Sequence, residues 1–221
     1  MTILAISDIH SDINLLSHME NDLRNSDLIL LSGDITHFGK TSIIKKIIGN
    51  FRQYNSNILA IPGNCDYHEV NQYLAEEDIA LDCRFRIINN HFIMGIGGSL
   101  PCPGGTPNEY SEEEFNTMLE EVVKKNINCD PIILLVHQPP FNTLCDRLND
   151  GFHVGSHSVR LFIEKYQPAI CYCGHIHEGV GIDAIGKTVI VNPGPLRMGK
   201  YSRTNFNSST VNAEIINMFA G

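Results

Sequence analysis

Asp8, His10, Asp34, Asn64, His137, His175 and His177 each stand at the end of a short apolar run. Together they offer two carboxylates, one amide and four imidazoles. Oxygen and nitrogen donors without a thiolate suit Mn, Fe, Zn or Ni ions rather than a structural cysteine site. Seven such donors exceed the needs of one tetrahedral ion. They match two ions that leave positions open for water and substrate. Gly174-His175-Ile176-His177 carries two of the imidazoles at i and i+2, a spacing that on extended chain points both to one side. Gly174 lets the chain turn just before them. Asp8-Ile9-His10 repeats the spacing. Taken alone, a His-x-His pair is more often a surface feature than a ligand; the upstream residues give it weight.

The elements that must position these residues follow from the apolar pattern. Ile3 to Asp8, Asp27 to Leu31 and Ile58 to Ile61 are strand-length runs of the type buried on both faces. Pro131 to Val136 and Ala169 to Tyr172 repeat the type downstream. Helical stripes follow the first three: Ile13, Leu16, Met19 and Leu23 after a Ser11-Asp12 cap; Ile43, Ile44, Ile47, Ile48 and Phe51; and a short helix from Val70 to Glu77. Ile79 to Leu81 reads as a further strand. Asn89-Asn90 and Ile185-Gly186-Lys187 mark two hairpins. Ser111 and Glu114 form a capping box ahead of the Phe115, Met118, Leu119, Val122 and Val123 face. Val159, Phe162, Ile163 and Tyr166 mark the last helix. The tail from Tyr201 reads as polar until a last strand, Ala213 to Met218. In α/β sheets, loops at the carboxyl ends of strands share one edge, so ligands far apart in sequence should converge there.

Composition narrows the classes. Hydrophobic content of 43% and charged content of 19% suit an ordinary globular chain, and 221 residues suit a single domain over 1–221. A net charge of -9 argues against a stable nucleic-acid complex, which needs a basic surface. The seven cysteines are scattered without a Cys-x-x-Cys pair, so neither a zinc ribbon nor a redox pair is indicated. The longest apolar runs are strand length, too short for a membrane span. No basic segment precedes a long apolar one near Met1, and a cytoplasmic setting is the expectation.

The order Asp-x-His, Gly-Asp, Gly-Asn-x-Asp, His and Gly-His-x-His resembles the motif ladder of the calcineurin-like metallophosphoesterases from Asp8 to Asn192. The resemblance implies an α/β fold of two packed β-sheets flanked by helices, in four αββα layers. It implies a metal-dependent phosphoric ester hydrolase. Asp8, His10 and His177 would hold one metal, Asn64, His137 and His175 the second, and Asp34 would bridge both. A hydroxide between the metals would attack the phosphoryl group in line. Mn²⁺ is the favoured ion, with Fe, Zn²⁺ and Ni²⁺ as alternatives. The expected partner is a small phosphoester substrate.

One position departs from the commoner family pattern. Many members read Gly-Asn-His-Asp, whereas residues 63 to 66 are Gly-Asn-Cys-Asp. The usual histidine is assigned to leaving-group protonation, with the acidic residue, here Asp66, orienting it. Cys65 is a poor general acid near neutral pH, and such help is typically worth ~10²–10⁴-fold. The Cys form resembles a branch better known for phosphodiesterase activity. Asp34, Asn64, Cys65 and Asp66 are therefore the catalytic candidates, and small phosphodiesters, cyclic nucleotides included, are the expected substrates. A phosphomonoesterase is the first alternative; a non-catalytic interaction scaffold is the second. His37, His68, His153 and His157 are candidates to approach substrate or replace the acid, with His68 and His153 foremost. Arg197 and Lys200 read as solvated loop cations that could reach phosphate, and the loop from Gly97 to Asn108 reads as exposed.

Overall fold

The structure, a computed structural model, describes residues 1–126, 131–207 and 210–219. β1 (Thr2–Ile6) is followed by a 3-10 turn at Leu16–Met19 and a short α1 (Glu20–Asn25). β2 (Leu28–Ser32), α2 (Thr41–Phe51), β3 (Ile58–Ile61) and α3 (His68–Glu76) complete the first half. The hairpin of β4 (Arg84–Ile88) and β5 (His91–Ile96) leads to α4 (Glu112–Val123) and β6 (Ile132–Val136). After α5 (His157–Tyr166) come β7 (Ile170–Tyr172), β8 (Gly181–Ile185), β9 (Thr188–Asn192), β10 (Lys200–Phe206) and β11 (Val211–Asn217).

The strands form two mixed sheets, ordered β11-β10-β1-β2-β3 and β4-β5-β6-β7-β9-β8. β1, β2 and β3 run parallel in the first, and β5, β6, β7 and β9 run parallel in the second. Runs such as Leu28–Ser32 and Ile132–Val136 are buried throughout because both faces of each sheet are covered. Alternate residues separate into layers. Ile3, Ala5, Leu30 and Ile61 meet Ile133, Leu135 and Tyr172 between the sheets. Leu4, Ile6 and Leu31 face Leu23, Ile47 and Phe51 of the helices on one side, and Leu134 and Val136 face Phe115 and Phe162 on the other. Each fully buried side chain of this size contributes roughly 1.5–3 kcal/mol. The result is the αββα arrangement implied by the motif order.

Several local expectations change. The stripe from Ile13 to Leu23 forms a 3-10 turn and six helical residues rather than one helix. Ile79 to Leu81 makes an isolated bridge to Ala60, not a strand. Ile43 is exposed, leaving Ile44, Ile47, Ile48 and Phe51 as the buried face of α2. The largest departure is β10, which occupies the stretch read as a polar tail. It pairs antiparallel with both β1 and β11, and its Ser202 and Thr204 are fully buried. Among the described residues, no helix is long and apolar enough to cross a membrane, and the six cysteines are unpaired thiols; Cys129 lies outside the described residues.

The Asn89-Asn90 turn has positive φ at both residues, 48° and 63°, as a two-residue hairpin with right-handed strand twist requires. The capping box at α4 is also present: Ser111 accepts from the Glu114 N–H, and the Glu114 carboxylate accepts from Ser111. Removing the first of these bonds with Ser111→Ala should lower stability by about 1 kcal/mol. A urea midpoint that falls with an unchanged slope would be the expected result.

Candidate metal centre

Every ladder residue lies where a strand ends at the same edge of the two sheets. β1 runs into Asp8 and His10, β2 into Asp34, β3 into Asn64, β6 into His137, and β7 into His175 and His177. The two sheets are tied together here. Ser32, at the end of β2, donates its hydroxyl to the Cys173 carbonyl beyond β7 as well as to that of Ile6, and its carbonyl meets His137 Nδ1 beyond β6 at 2.7 Å. The exits are not extended chain, contrary to the i, i+2 argument. Asp8, His10, Asp34 and His175 have φ of 51°, 46°, 47° and 66°. These left-handed bends aim side chains that a straight strand would carry past the edge.

The bends send His175 and His177 to different places. His177 Nε2 lies 3.2 Å from Asp8 Oδ1 and 3.3 Å from His10 Nε2. Asp8 Oδ1 is 4.0 Å from His10 Nε2, so three donors converge. His175 instead packs against His137, with ring centroids 5.3 Å apart. His137 Nε2 is 3.1 Å from Asn64 Oδ1. Between the groups lies Asp34, with Oδ2 3.6 Å from His10 and Oδ1 3.5 Å from His137. Ligand atoms on a common first-row ion bound at ~2.0–2.2 Å would be separated by about these distances. Among the described residues, Asp8-His10-His177, His10-Asp34-Cys65 and Asp8-Asp34-His137 each have donor atoms within 4.8 Å of one another.

The electrostatics fit a cation. Burial pulls His137 down, but Asp34 and Asp8 more than reverse it and push the imidazole up to about 9. The field at this point is thus strong enough to favour positive charge on a fully buried ring. Burial and the neighbouring His137 lower His175 to about 4, and burial lowers His10, which leaves neutral rings of the kind that ligate metals. His137 Nδ1 faces the Ser32 carbonyl at 2.7 Å and must donate to it, so Nε2 is the nitrogen left with a free lone pair when the ring is neutral. Burial raises Asp34, yet His137 and His10 hold it well below the usual carboxylate range.

Around this core, Cys65 donates its backbone N–H to Asp34 Oδ1 at 2.8 Å. Burial and then the Asp34 carboxylate push the Cys65 thiol above the ordinary thiol range. Asp66 does not face Cys65 with a free oxygen. It accepts from the N–H groups of Ile35 at 3.0 Å, Thr36 at 2.8 Å and Gly63 at 2.8 Å, and from the Thr36 hydroxyl at 2.7 Å. It therefore staples the exits of β2 and β3 together. Gly63 is needed at this junction, because a Cβ there would collide with the Asp34 carboxylate and backbone nitrogen.

The residues from Gly97 to Asn108 are less exposed than expected. Ser99 is buried, Thr106 Oγ1 accepts from Asn64 Nδ2 at 3.2 Å, and Cys102 Sγ lies 3.8 Å from His175 Nε2. Neither Thr106 nor Cys102 has a sequence signal beyond lying in a Gly/Pro-rich loop. Asn192 also escaped as a site residue; its amide donates to the Ile176 carbonyl at 2.9 Å and fixes the turn that bears both histidines. A cleft of about 370 Å³ opens beside the first group, lined by His10, Asp12, His37, His177 and Arg197. His68 lines a separate pocket with Asp66 and Asn108. His153 is engaged by the buried Asp146 at 2.7 Å, and His157 stacks on Phe141 at 4.0 Å. Lys200 lies in β10.

A family model described as calcineurin-like phosphoesterase matches residues 1–179. The chain belongs to the calcineurin-like phosphoesterases. It is 41% identical over 199 residues to the uncharacterized protein MJ1162 of Methanocaldococcus jannaschii, covering 88% of each chain. It is 23% identical over 185 residues to a probable glycerophosphodiester phosphodiesterase, GpdQ, of Arcobacter nitrofigilis, covering 77% of this chain and 64% of that one. The crystal structure of TT1561 of Thermus thermophilus superposes with a TM-score of 0.78 at 20% identity, covering 98% of each chain, which shows the shared fold. As a calcineurin-like phosphoesterase the chain is a hydrolase of phosphoric esters whose Asp and His groups could hold metal.

Asp66 gives the sharpest test of this local architecture. Burial and Asp34 push it up to about 6, so at neutral pH it remains ionised and accepts four bonds. Asp66→Asn would turn a donor towards these donors. The variant should lose about 1–3 kcal/mol of stability and bind metal more weakly, read by urea unfolding and by metal analysis after dialysis.

Proposed function

We propose that this chain is a phosphodiesterase with a dinuclear metal centre, acting on small phosphodiesters. The observation that carries the two-metal reading is the Asp34 carboxylate, whose two oxygens face different imidazoles, His10 and His137, at 3.6 and 3.5 Å. Asp8, His10 and His177 would hold one ion, and Asn64, His137 and His175 the other. Bound ions would polarise the phosphoryl oxygens and acidify the attacking water. Mn²⁺ is the favoured pair, given a ligand set of oxygen and imidazole.

The remaining roles belong to the chain itself. Asn64 is neutral, so two dications would meet only the carboxylates of Asp8 and Asp34 and keep a net positive charge for an anionic substrate. The Cys65 backbone N–H and the Asp66 staple hold Asp34 and Asn64 in place. The Cys65 thiol keeps its proton and is a weak acid, so leaving groups that depend on protonation at this position gain little. The cleft of about 370 Å³ beside His10 and His177 has room for the second ester group that distinguishes a diester from a monoester. The name of the Arcobacter nitrofigilis relative points the same way. One observation favours a phosphomonoesterase instead: the His37 ring stands 5.4 Å from His10 and could protonate a leaving group in place of residue 65.

Two experiments test the reading. Protein reloaded with Mn²⁺ should hydrolyse bis-p-nitrophenyl phosphate faster than p-nitrophenyl phosphate, and EDTA should abolish both activities. A monoester preference would select the alternative. Cys65→His should then raise monoester relative to diester turnover, by up to about 10²-fold if the imidazole acts as a general acid. An unchanged ratio would remove residue 65 from leaving-group chemistry.

A further inference from the structure

From His37, which lines the cleft, a row of rings that metal binding does not use runs outward. His37 stands edge-on to His10, Phe38 edge-on to His37 with centroids 5.0 Å apart, and Tyr67 edge-on to Phe38 at 6.4 Å. The row thus runs from a candidate metal ligand outward to solvent, with Phe38 41% and Tyr67 38% exposed. Phe38 also has φ of 53°, a backbone conformation unfavourable for a bulky side chain. Strain and exposure coincide on one large apolar ring packed against the cleft-lining His37. Such residues cost stability and cluster where ligands bind. The adjoining cleft, at about 370 Å³, is within the size range of small-ligand sites and larger than a phosphoryl group fills. Its charged side chains are Arg197 and Asp12.

We propose that the His37-Phe38 rim, backed by Tyr67, is a stacking platform for a planar aromatic substituent of the substrate, with Arg197 supplying positive charge to the cleft. The inference rests on the phosphodiesterase reading and narrows it to diesters bearing a nucleobase or comparable flat ring. Offset and edge-on contacts with such a ring need only its π-face. Simple alkyl diesters would leave the rim uncovered.

The test uses Mn²⁺-loaded protein and two diesters with the same leaving group, thymidine 5′-(p-nitrophenyl phosphate) and methyl p-nitrophenyl phosphate. The wild type should favour the nucleoside ester in kcat/KM. Phe38→Gly removes the ring and suits the left-handed backbone, and should reduce that preference by at least about tenfold; Phe38→Trp should retain it. A preference, or a kcat/KM for the nucleoside ester, that Phe38→Gly leaves unchanged overturns the platform. Calorimetric binding of AMP against ribose 5-phosphate reads the same contact without turnover. If neither diester is hydrolysed, the phosphodiesterase reading fails, while tighter AMP binding that Phe38→Gly abolishes still supports the platform. Equal affinity for AMP and ribose 5-phosphate overturns it. Phenyl phosphate separates the two sources of a flat ring: AMP binding more tightly assigns a nucleobase, and equal binding assigns any aryl group.

Discussion

The site depends on one buried carboxylate held between two groups of imidazoles. Asp34 is 4% exposed at its side chain, an environment in which an unpaired charge would be strongly disfavoured. Its charge is maintained because His137 and His10 face its two oxygens and the Cys65 N–H donates to one of them. Everything nearby can be read as a condition for this placement. The left-handed turn at Asp34 swings the carboxylate off the strand axis, and Gly63 clears the space it enters. Asp66 then locks the neighbouring backbone through four bonds. A carboxylate with separate partners on its two oxygens can join two cationic centres, which a single-nitrogen ligand cannot.

That placement requires both sheets. His137 comes from the second sheet, yet its Nδ1 is oriented by the Ser32 carbonyl at the end of β2 in the first. The layer formed by residues such as Ile3, Leu30, Leu135 and Tyr172 fixes the separation of the sheets, and so the distance from Asp34 to His137. Packing at protein-interior density transmits small displacements instead of absorbing them. A cavity far from the edge, in this layer, would therefore disturb the distances at the centre.

Much of this was legible because the chemistry follows apolar strands. The runs ending at Asp8, Asp34, Asn64, His137 and His175 are nearly uninterrupted, and a sheet edge is the natural place for their ends to meet. The two-sheet architecture came with the motif order rather than with periodicity. The parts that were illegible have physical causes. β10 contains Ser202, Thr204 and Arg203, which break the apolar pattern; its place is set by backbone pairing on both sides. The turns at His10 and His175 depend on positive φ in residues that carry side chains, for which sequence has no glycine marker. Thr106 and Cys102 reach the site only because their loop folds back onto Asn64 and His175, a tertiary contact with no local spacing rule. Asp66 was visible as a residue of the ladder, but its bonds to Ile35 and Thr36 follow from the juxtaposition of β2 and β3.

Strain at this edge is concentrated, and its location is informative. Asp8, His10, Ser11, Asp34 and His175 all have positive φ without being glycine. Each such conformation costs on the order of 1–3 kcal/mol unless local bonds relieve it. Relief is visible at some of them: the N–H groups of Asp8, His10 and Ser11 donate to the carbonyls of Gly33, Asp34 and Ile35 at 3.1, 2.9 and 3.1 Å. The first two strand exits thus hold each other in bent form. Substituting glycine would ease the backbone and remove the donor, so the sequence retains side chains where glycine would be conformationally easier. The burial of β2 and β6 throughout, and of β1 from Ile3 to Ile6, supplies the stability against which these bends are maintained. A rigid apolar interior and a strained polar edge are therefore two parts of one design, with the first making the second possible.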